Sequence, residues 1–409
     1  MVGMFTQPSF YTDRRQRYFT ERIRCGRFSP LKTVKDGMMY TRSISEPPDS
    51  IVKSGQPVFG DFTPAPKTLD IRKLEQPFSI MPLPAFITNW RIRANLCFTF
   101  LTPEFFGTME IIDAHFFDFA EINIWERSSG KKLSFRSFIL LRRRIIPLTI
   151  ISGICTSLKK KRVFIIRWDY TKGTFSFLCR LKGDTHRADV SFSFSGDLQN
   201  EYSLCNTSVI PAPVMRRCAA VHHLSLPLKG SFSLQYRSAL QNVPLTRKTQ
   251  PGAAQSEPDA AKAENWGFFT VRRSYYRLRS HCQSLTVLGT ADGVPIRFNL
   301  YTSNQDPFDP DLYNENVLFT AGETTPLPPV TITHPYGLNG QWIIQDTESM
   351  IDLSFFPVSD TVRKKSILIL RTEYHTIYGK CEGTVRDKHG TKFTLKDFCA
   401  VAKKQYLRL

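Results

Sequence analysis

The chain has 409 residues, 41% of them hydrophobic and 22% charged, and a formal net charge of +19. That length allows two domains or one large β unit with a real core, and the balance suits a soluble globular protein. Nine cysteines, an odd number without a CxxC pair, speak against a zinc ribbon and a disulfide framework.

Residues 1–82 are rich in Pro, Arg, Ser and Gly, with breaks such as "SEPPDS" and "SGQPVFGDFTPAPKT". They predict a basic, irregular arm draped on the body. The opening "MVGMFTQPSFYTDRRQRYF" has no apolar core of signal-peptide length before its charges. The most apolar run, "IIPLTIISGI", is too short to span a bilayer and contains Pro147, so no transmembrane segment is expected. A cytoplasmic protein is the expectation.

From Trp90 the pattern becomes alternation. "RIRANLCFTFL" sets Ile92, Leu96, Phe98 and Phe100 near one face. "SFSFSG" alternates Phe192 and Phe194 with serines, and "GSFSLQY" repeats the device. Period two with one apolar face predicts half-buried antiparallel strands. The 32 phenylalanines fit strands better than helices. A first β unit is expected over 83–240. Within it, residues 131–187 hold 15 basic and two acidic residues, +13 of the +19. Solvated strand ends explain such runs, and a phosphate-binding face is the alternative. The pair His222-His223 cannot readily chelate one metal, because neighbours on a strand point to opposite faces. Glu121 with Glu126, and Asp309 with Asp311, read as ordinary surface charge.

Residues 241–265 are polar, small and poor in aromatics, which predicts a flexible linker or insertion. A second β unit follows over 266–409, with turns at Asp292-Gly293, Ala321-Gly322 and Asp387 to Gly390. "NLYTSNQDPFDPDLYNENVLF" reads as a polar lip over a barrel mouth, or as a solvated loop stopped by Asp-Pro turns. In "RTEYHTIYG", Tyr374, Thr376 and Tyr378 share one strand face, and His375 and Ile377 the other. An inward histidine there can act as an acid or base, or serve the core through a backbone hydrogen bond. Gly379 and Gly383 suit a backbone bend. The final "KDFCAVAKKQYLRL" fits a short helix or a last strand. Short strands at regular spacing, without helical patterns between them, give an all-β fold of two antiparallel barrels or sandwiches. No P-loop, GxGxxG, GxSxG or HExxH is present, and no cofactor or metal is expected.

The ordered run "RFNL…NENVLF", "GQWIIQDTESMIDLSFFPVSD", "LILRTEYHTIYGKCEGTV" and "GTKFTLKDFCAVAKK" resembles the C-terminal half of a family, the domain of unknown function 2804. The matching positions are Asn299, Leu300, Glu315, Asn316, Trp342, Asp352, Leu353, Phe355, Pro357, His375, Tyr378, Gly379 and Gly383. "NWRIRANLCFTFL" and "HHLSLPLKGSFS" extend the resemblance more loosely towards Leu83. "VRRSYYRLRSHCQ" departs from the family pattern before Asn299, as does the lack of a terminal Trp. The resemblance implies paired lipocalin-like (calycin-like) barrels, the architecture of carotenoid hydratases and tocopherol cyclases, with a ligand-sized apolar cavity. It implies no established reaction.

The reading of function is binding of an apolar small molecule or lipid in a barrel cavity. If the protein is an enzyme, which the sequence leaves open, hydration or isomerisation by protonation is the coherent class. His375 and Tyr378 would then be the polar pair and Glu315 the carboxyl candidate. Asn299, Asn316, Trp342 and Trp90 are the binding candidates, with the two tryptophans lining or sealing a core. The alternative is a basic module using residues 131–187 on nucleic acid or an anionic membrane, with nucleic acid not favoured.

Overall fold

The computed structural model describes residues 39–409 except 79–82, 114–116, 141–144, 160, 185–186, 213–216, 237–244, 249–264, 276–278, 305–306, 368–369 and 409. Most of the predicted arm and of the 241–265 insertion therefore lies outside the described residues. Among the described residues, apart from one six-residue helix, Ala85–Trp90, the regular structure is β. Among the described residues all strand pairs are antiparallel except Ile44–Ser45 with Gly60–Phe62. Among the described residues no helix is long and apolar enough to cross a membrane.

Among the described residues two large sheets and the small Val52–Lys53/Gln56–Pro57 ribbon make the N-terminal unit. The first has nine strands, running from Ile44–Ser45 at one edge to Lys132–Leu140 at the other. The second has six, from Leu245–Lys248 to Ser152–Lys159. Alternation does the work the sequence predicts. Thr174–Leu181 and Asp189–Asp197 bury every second residue, so their phenylalanines face the first sheet and their serines face out. Phe98 packs 5.2 Å from Phe175 and 5.1 Å from Phe177, centroid to centroid. Phe100 sits 5.2 Å from both Phe192 and Phe194, and Phe105 stacks on Phe232 at 4.2 Å. Each buried phenylalanine contributes about 1.5–3 kcal/mol by removal from water, and such ring pairs add about 0.5–1.5 kcal/mol. The strand after the insertion, Trp266–Tyr275, lies in this first sheet between Cys218–Pro227 and Ile92–Leu101. Part of the proline-rich N-terminal stretch is also integral, since Ile51, Phe62, Leu69 and Ile71 belong to the same core.

The C-terminal unit is one nine-stranded sheet. Its edge strands, Thr324–Pro326 and Thr331–Thr333, are joined by only Leu327, Pro328, Pro329 and Val330. So short a link obliges the sheet to curl until its edges approach, which closes a barrel-like core of Phe298, Trp342, Phe355 and Ile377. The two prolines lack N–H donors and cannot extend either edge ladder. Asp292 and Gly293 both take positive φ, as a two-residue hairpin turn requires. Gly383, at φ 124°, sits where the register shifts, and a Cβ there would meet the Asp352 carbonyl at 2.1 Å. The chain ends as a 17-residue strand, Lys392–Arg408, and not as the short helix the terminal pattern also allowed.

The two units meet sheet against sheet. Phe105–Asp113 is buried along its whole length because both of its faces are covered. Leu101, Phe106, Trp125, Trp266, Phe268, Phe319, Tyr378 and Val401 form an apolar cluster between the units.

A tight contact in the N-terminal core sets a prediction. A Cβ at Gly107 would lie 2.3 Å from the Phe100 ring. Phe100→Ala is expected to cost about 3–5 kcal/mol by leaving a cavity, and Gly107→Ala to destabilise by overpacking. Urea unfolding measures both, and a stability change below about 0.5 kcal/mol in either variant would contradict this packing.

Candidate functional site

One group of chemistry-bearing side chains of the C-terminal unit gathers around His375 at a mouth of its barrel. Strand Leu370–Arg386 turns Tyr374, Thr376 and Tyr378 toward the N-terminal unit and His375 and Ile377 inward. Ile351–Ile367 slips register between Pro357 and Ser359, which sets Asp360 opposite Ile377 and Val362 opposite His375. His375 Nδ1 lies 2.7 Å from Asp360 Oδ2, and its Nε2 3.1 Å from Glu373 Oε1. Lys364 reaches the same Glu373 oxygen at 2.9 Å. Hydrogen bonds from Lys364 and His375 hold the Glu373 carboxyl down at about 2. Lys404 pairs with His375 in register and places Nζ 3.0 Å from His334 Nε2. Burial depresses the Lys404 pKa, against the pull of Glu373. Burial and then Lys404 lower His334, and the same two causes lower His281. Gln283, opposite Lys404 in the ladder, has a buried amide oxygen without a hydrogen-bond partner among the described residues. Beneath this rim lie Trp342, Ile377 and Ala402. The arrangement is a polar rim of proton donors and acceptors on an apolar floor.

A second constellation lies where the long loop of the C-terminal unit meets the first sheet. Glu315 is buried in an ion pair with Arg272, whose guanidinium stacks 4.1 Å from the Tyr301 ring centroid. Both groups line a crevice of about 50 Å³ with Tyr275, Tyr313 and Asn314. That volume suits water molecules and not a drug-sized ligand. The loop is pinned from the N-terminal side. The Tyr40 hydroxyl donates to the Asp311 carbonyl at 2.5 Å, and Arg42 donates to the Leu327 and Asn316 carbonyls while bonding Asp61 at 2.7 Å.

Buried charges hold the seam between the units. Glu110 accepts from Asn95 at 2.7 Å and from the Tyr374 hydroxyl, and lies 3.5 Å from Arg363 and 3.7 Å from Lys403. Burial would raise the Glu110 pKa, but Lys403, Arg363 and the two hydrogen bonds outweigh it and hold it at about 2. Glu121 bonds Arg136 at 2.5 Å and Arg363 at 3.1 Å. The reading of Glu121 as surface charge is thus corrected. It is 1% exposed, because a second sheet covers the polar face of its strand.

The other sequence candidates are dispersed. Tyr378 faces the seam, stacked 5.3 Å from Trp125, on the opposite side of its strand from His375. The two do not form one polar pair, and Glu315 lies at the crevice. Trp342 is wholly buried and donates to the Leu338 carbonyl at 3.0 Å, whereas Trp90 is 48% exposed at the end of the short helix. Asn299 accepts from Thr286 at 2.9 Å. Asn316 accepts from the Tyr301 N–H at 2.7 Å and donates to the Pro328 carbonyl at 2.8 Å, which ties loop to barrel. Lys404, His334, Asp360 and Glu373 are the partners that sequence reasoning passed over. The only signal for them was shared parity along each strand.

Comparison with known proteins adds a family and a distant likeness. Residues 248–409 match the family model of a domain of unknown function (DUF2804), in the half where the sequence resemblance was most specific. No curated protein matches the chain. Among solved structures it is similar to kievitone hydratase from Nectria haematococca, at 10% identity and a TM-score of 0.41, over 76% of this chain and 88% of that one. It is also similar to CghA with Sch210972, at 8% identity and a TM-score of 0.43, over 78% and 88%.

The adjacent histidines of the first sheet make a pH prediction. His222 lies 2.8 Å from both the Thr207 and Tyr170 hydroxyls, and His223 3.0 Å from Thr270. Burial first, and then His223 beside His222 and Arg272 beside His223, push each down to about 3. Unfolded histidines protonate near pH 6.5, so between pH 6.5 and 3 the unfolded state binds more protons and stability falls with pH. The expected loss at pH 5 is about 2 kcal/mol per histidine. Urea midpoints at pH 7 and pH 5 measure it. His222→Gln should shrink the difference, and an unchanged difference would contradict a neutral buried His222.

Proposed function

We propose that this chain, whose residues 248–409 match DUF2804, binds a small molecule with an apolar body and a polar head at the mouth of its C-terminal barrel. The observation that carries this reading is the convergence of His375, Lys404, His334, Glu373 and Asp360 above Trp342, Ile377 and Ala402. A few polar groups over an apolar floor is the usual character of a ligand site. Phe298, Trp342 and Phe355 already occupy the interior below, so the ligand rests on the rim and does not thread deep into the barrel. A lipid-length chain would have to continue along the outer surface.

Proton transfer is the chemistry that suits this rim, and hydration or isomerisation is the corresponding class. Asp360 orients the His375 ring through Nδ1, which directs Nε2 at the group it exchanges a proton with. Glu373 occupies that direction and is 26% exposed at its side chain, so a ligand can displace it toward Lys364. Lys404 would take the polar head, since an amine whose burial is only partly compensated gains from an anionic or carbonyl partner.

Fluorescence titration with 1-anilinonaphthalene-8-sulfonate, an apolar ring system with one anionic group, tests the reading. Saturable binding is expected, with at least about a tenfold loss of affinity in Lys404→Ala. Ile154→Ser with Leu158→Ser, on the exposed face of the six-stranded sheet, should leave affinity unchanged. Affinity indifferent to Lys404→Ala, or lost with the Ile154 and Leu158 changes, would contradict it.

A further inference from the structure

Four basic residues of the 131–187 stretch converge on a second place, which the barrel mouth does not use. Lys132 and Arg136, Arg162, and Arg187 line an open groove of about 360 Å³ together with Ser134 and Thr361. Its walls come from three sheets: the edge strand Lys132–Leu140 of the first, Arg162–Asp169 of the second, and Ile351–Ile367 of the C-terminal unit. Among the described residues four cationic side chains line it and no carboxylate does.

Local countercharge does not balance these cations. Arg136 bonds Glu121, but that carboxylate is shared with Arg363. Glu110, the other acid of the cluster, lies between Arg363 and Lys403. Two carboxylates therefore face three cations before Lys132 and Arg162 are counted. Arg187 is held by Asp184 at 2.5 Å and stacks 5.5 Å from the Phe135 ring centroid, which fixes its guanidinium at the rim. The Lys132 amine donates to the Asp360 carbonyl at 2.7 Å, and burial and then Arg136 lower its pKa against the pull of the Asp360 and Glu121 carboxylates. Among the described residues no ion pair holds Arg162. The Thr361 hydroxyl is buried without a hydrogen-bond partner among the described residues. Like charges brought this close repel unless an anion lies between them.

We propose that this groove is a binding site for the phosphate group of a small ligand. Phosphate offers several acceptor oxygens at once, which suits guanidinium and ammonium donors converging from three sheets. A volume of about 360 Å³ falls in the range of small-ligand sites. A soluble phosphate ester and a phosphomonoester lipid head group present the same chemistry.

Isothermal titration calorimetry of the full chain with pyrophosphate tests the site, alongside phosphatidylcholine vesicles with and without phosphatidic acid. Saturable pyrophosphate binding is expected, weakened about tenfold by Arg162→Gln and about tenfold again when Lys132→Gln is added. Arg167→Gln with Arg180→Gln, exposed on the outer face of the six-stranded sheet, should leave it unchanged. Competition by phosphatidic acid vesicles would assign the phosphate to a lipid head group, and its absence to a soluble ester. The proposal is overturned if neither probe binds. It is also overturned if binding survives the Arg162 and Lys132 changes, or if single-stranded RNA binds where pyrophosphate does not.

Discussion

The molecule depends on a shared wall. Strands Ile92–Leu101, Phe105–Asp113 and Phe117–Glu126 pack one face on the phenylalanine core and the other on the C-terminal sheet. Such a wall must be apolar or internally neutralised, because a buried unpaired charge costs several kcal/mol. One end of the seam meets the requirement with aromatics, Trp125 on Tyr378 and Phe106 beside both. The other meets it with Glu110 and Glu121 set among Arg363, Lys403 and Arg136. Buried ion pairs of this kind add little net stability over an apolar seam, but they fix register, since each charge has few acceptable neighbours.

That register places both candidate sites. Arg363 faces the seam, so on the same strand Asp360 and Val362 face inward, where Asp360 meets His375. Thr361 is carried to the groove beside Lys132 and Arg136. The interiors, in contrast, are occupied. Phe98, Phe100, Phe175, Phe177, Phe192 and Phe194 interlock in the N-terminal unit, and Trp342 and Phe355 meet edge to face in the other. Polar groups that are both positioned and reachable therefore lie at rims and clefts.

Alternation made much of this legible in sequence. "SFSFSG" and "RTEYHTIYG" each assign their two faces correctly, and Asp292-Gly293 forms the hairpin its composition demands. What alternation cannot state is what covers the polar face. Glu121 obeys the period and looks solvated, yet a sheet from over 200 residues later lies on it. Nor does a period encode register. Nothing near His375 in sequence names Lys404 or His334 as its neighbours, because those contacts arise only once Lys392–Arg408 pairs beside it. The same ladder explains the C-terminus, where pairing on both sides of a long strand overrides a weak helical pattern. Strand order is likewise silent in composition. Trp266–Tyr275 follows the insertion but completes the first sheet.

Hydrogen exchange followed by mass spectrometry tests the shared wall most directly. If the seam unites the two units, the slowest amides of 105–126 and of 370–408 open with one common free energy, equal to that of global unfolding. A seam that merely touches would let the C-terminal peptides exchange through a separate, cheaper opening while the N-terminal ones stay protected, and that result would contradict the account.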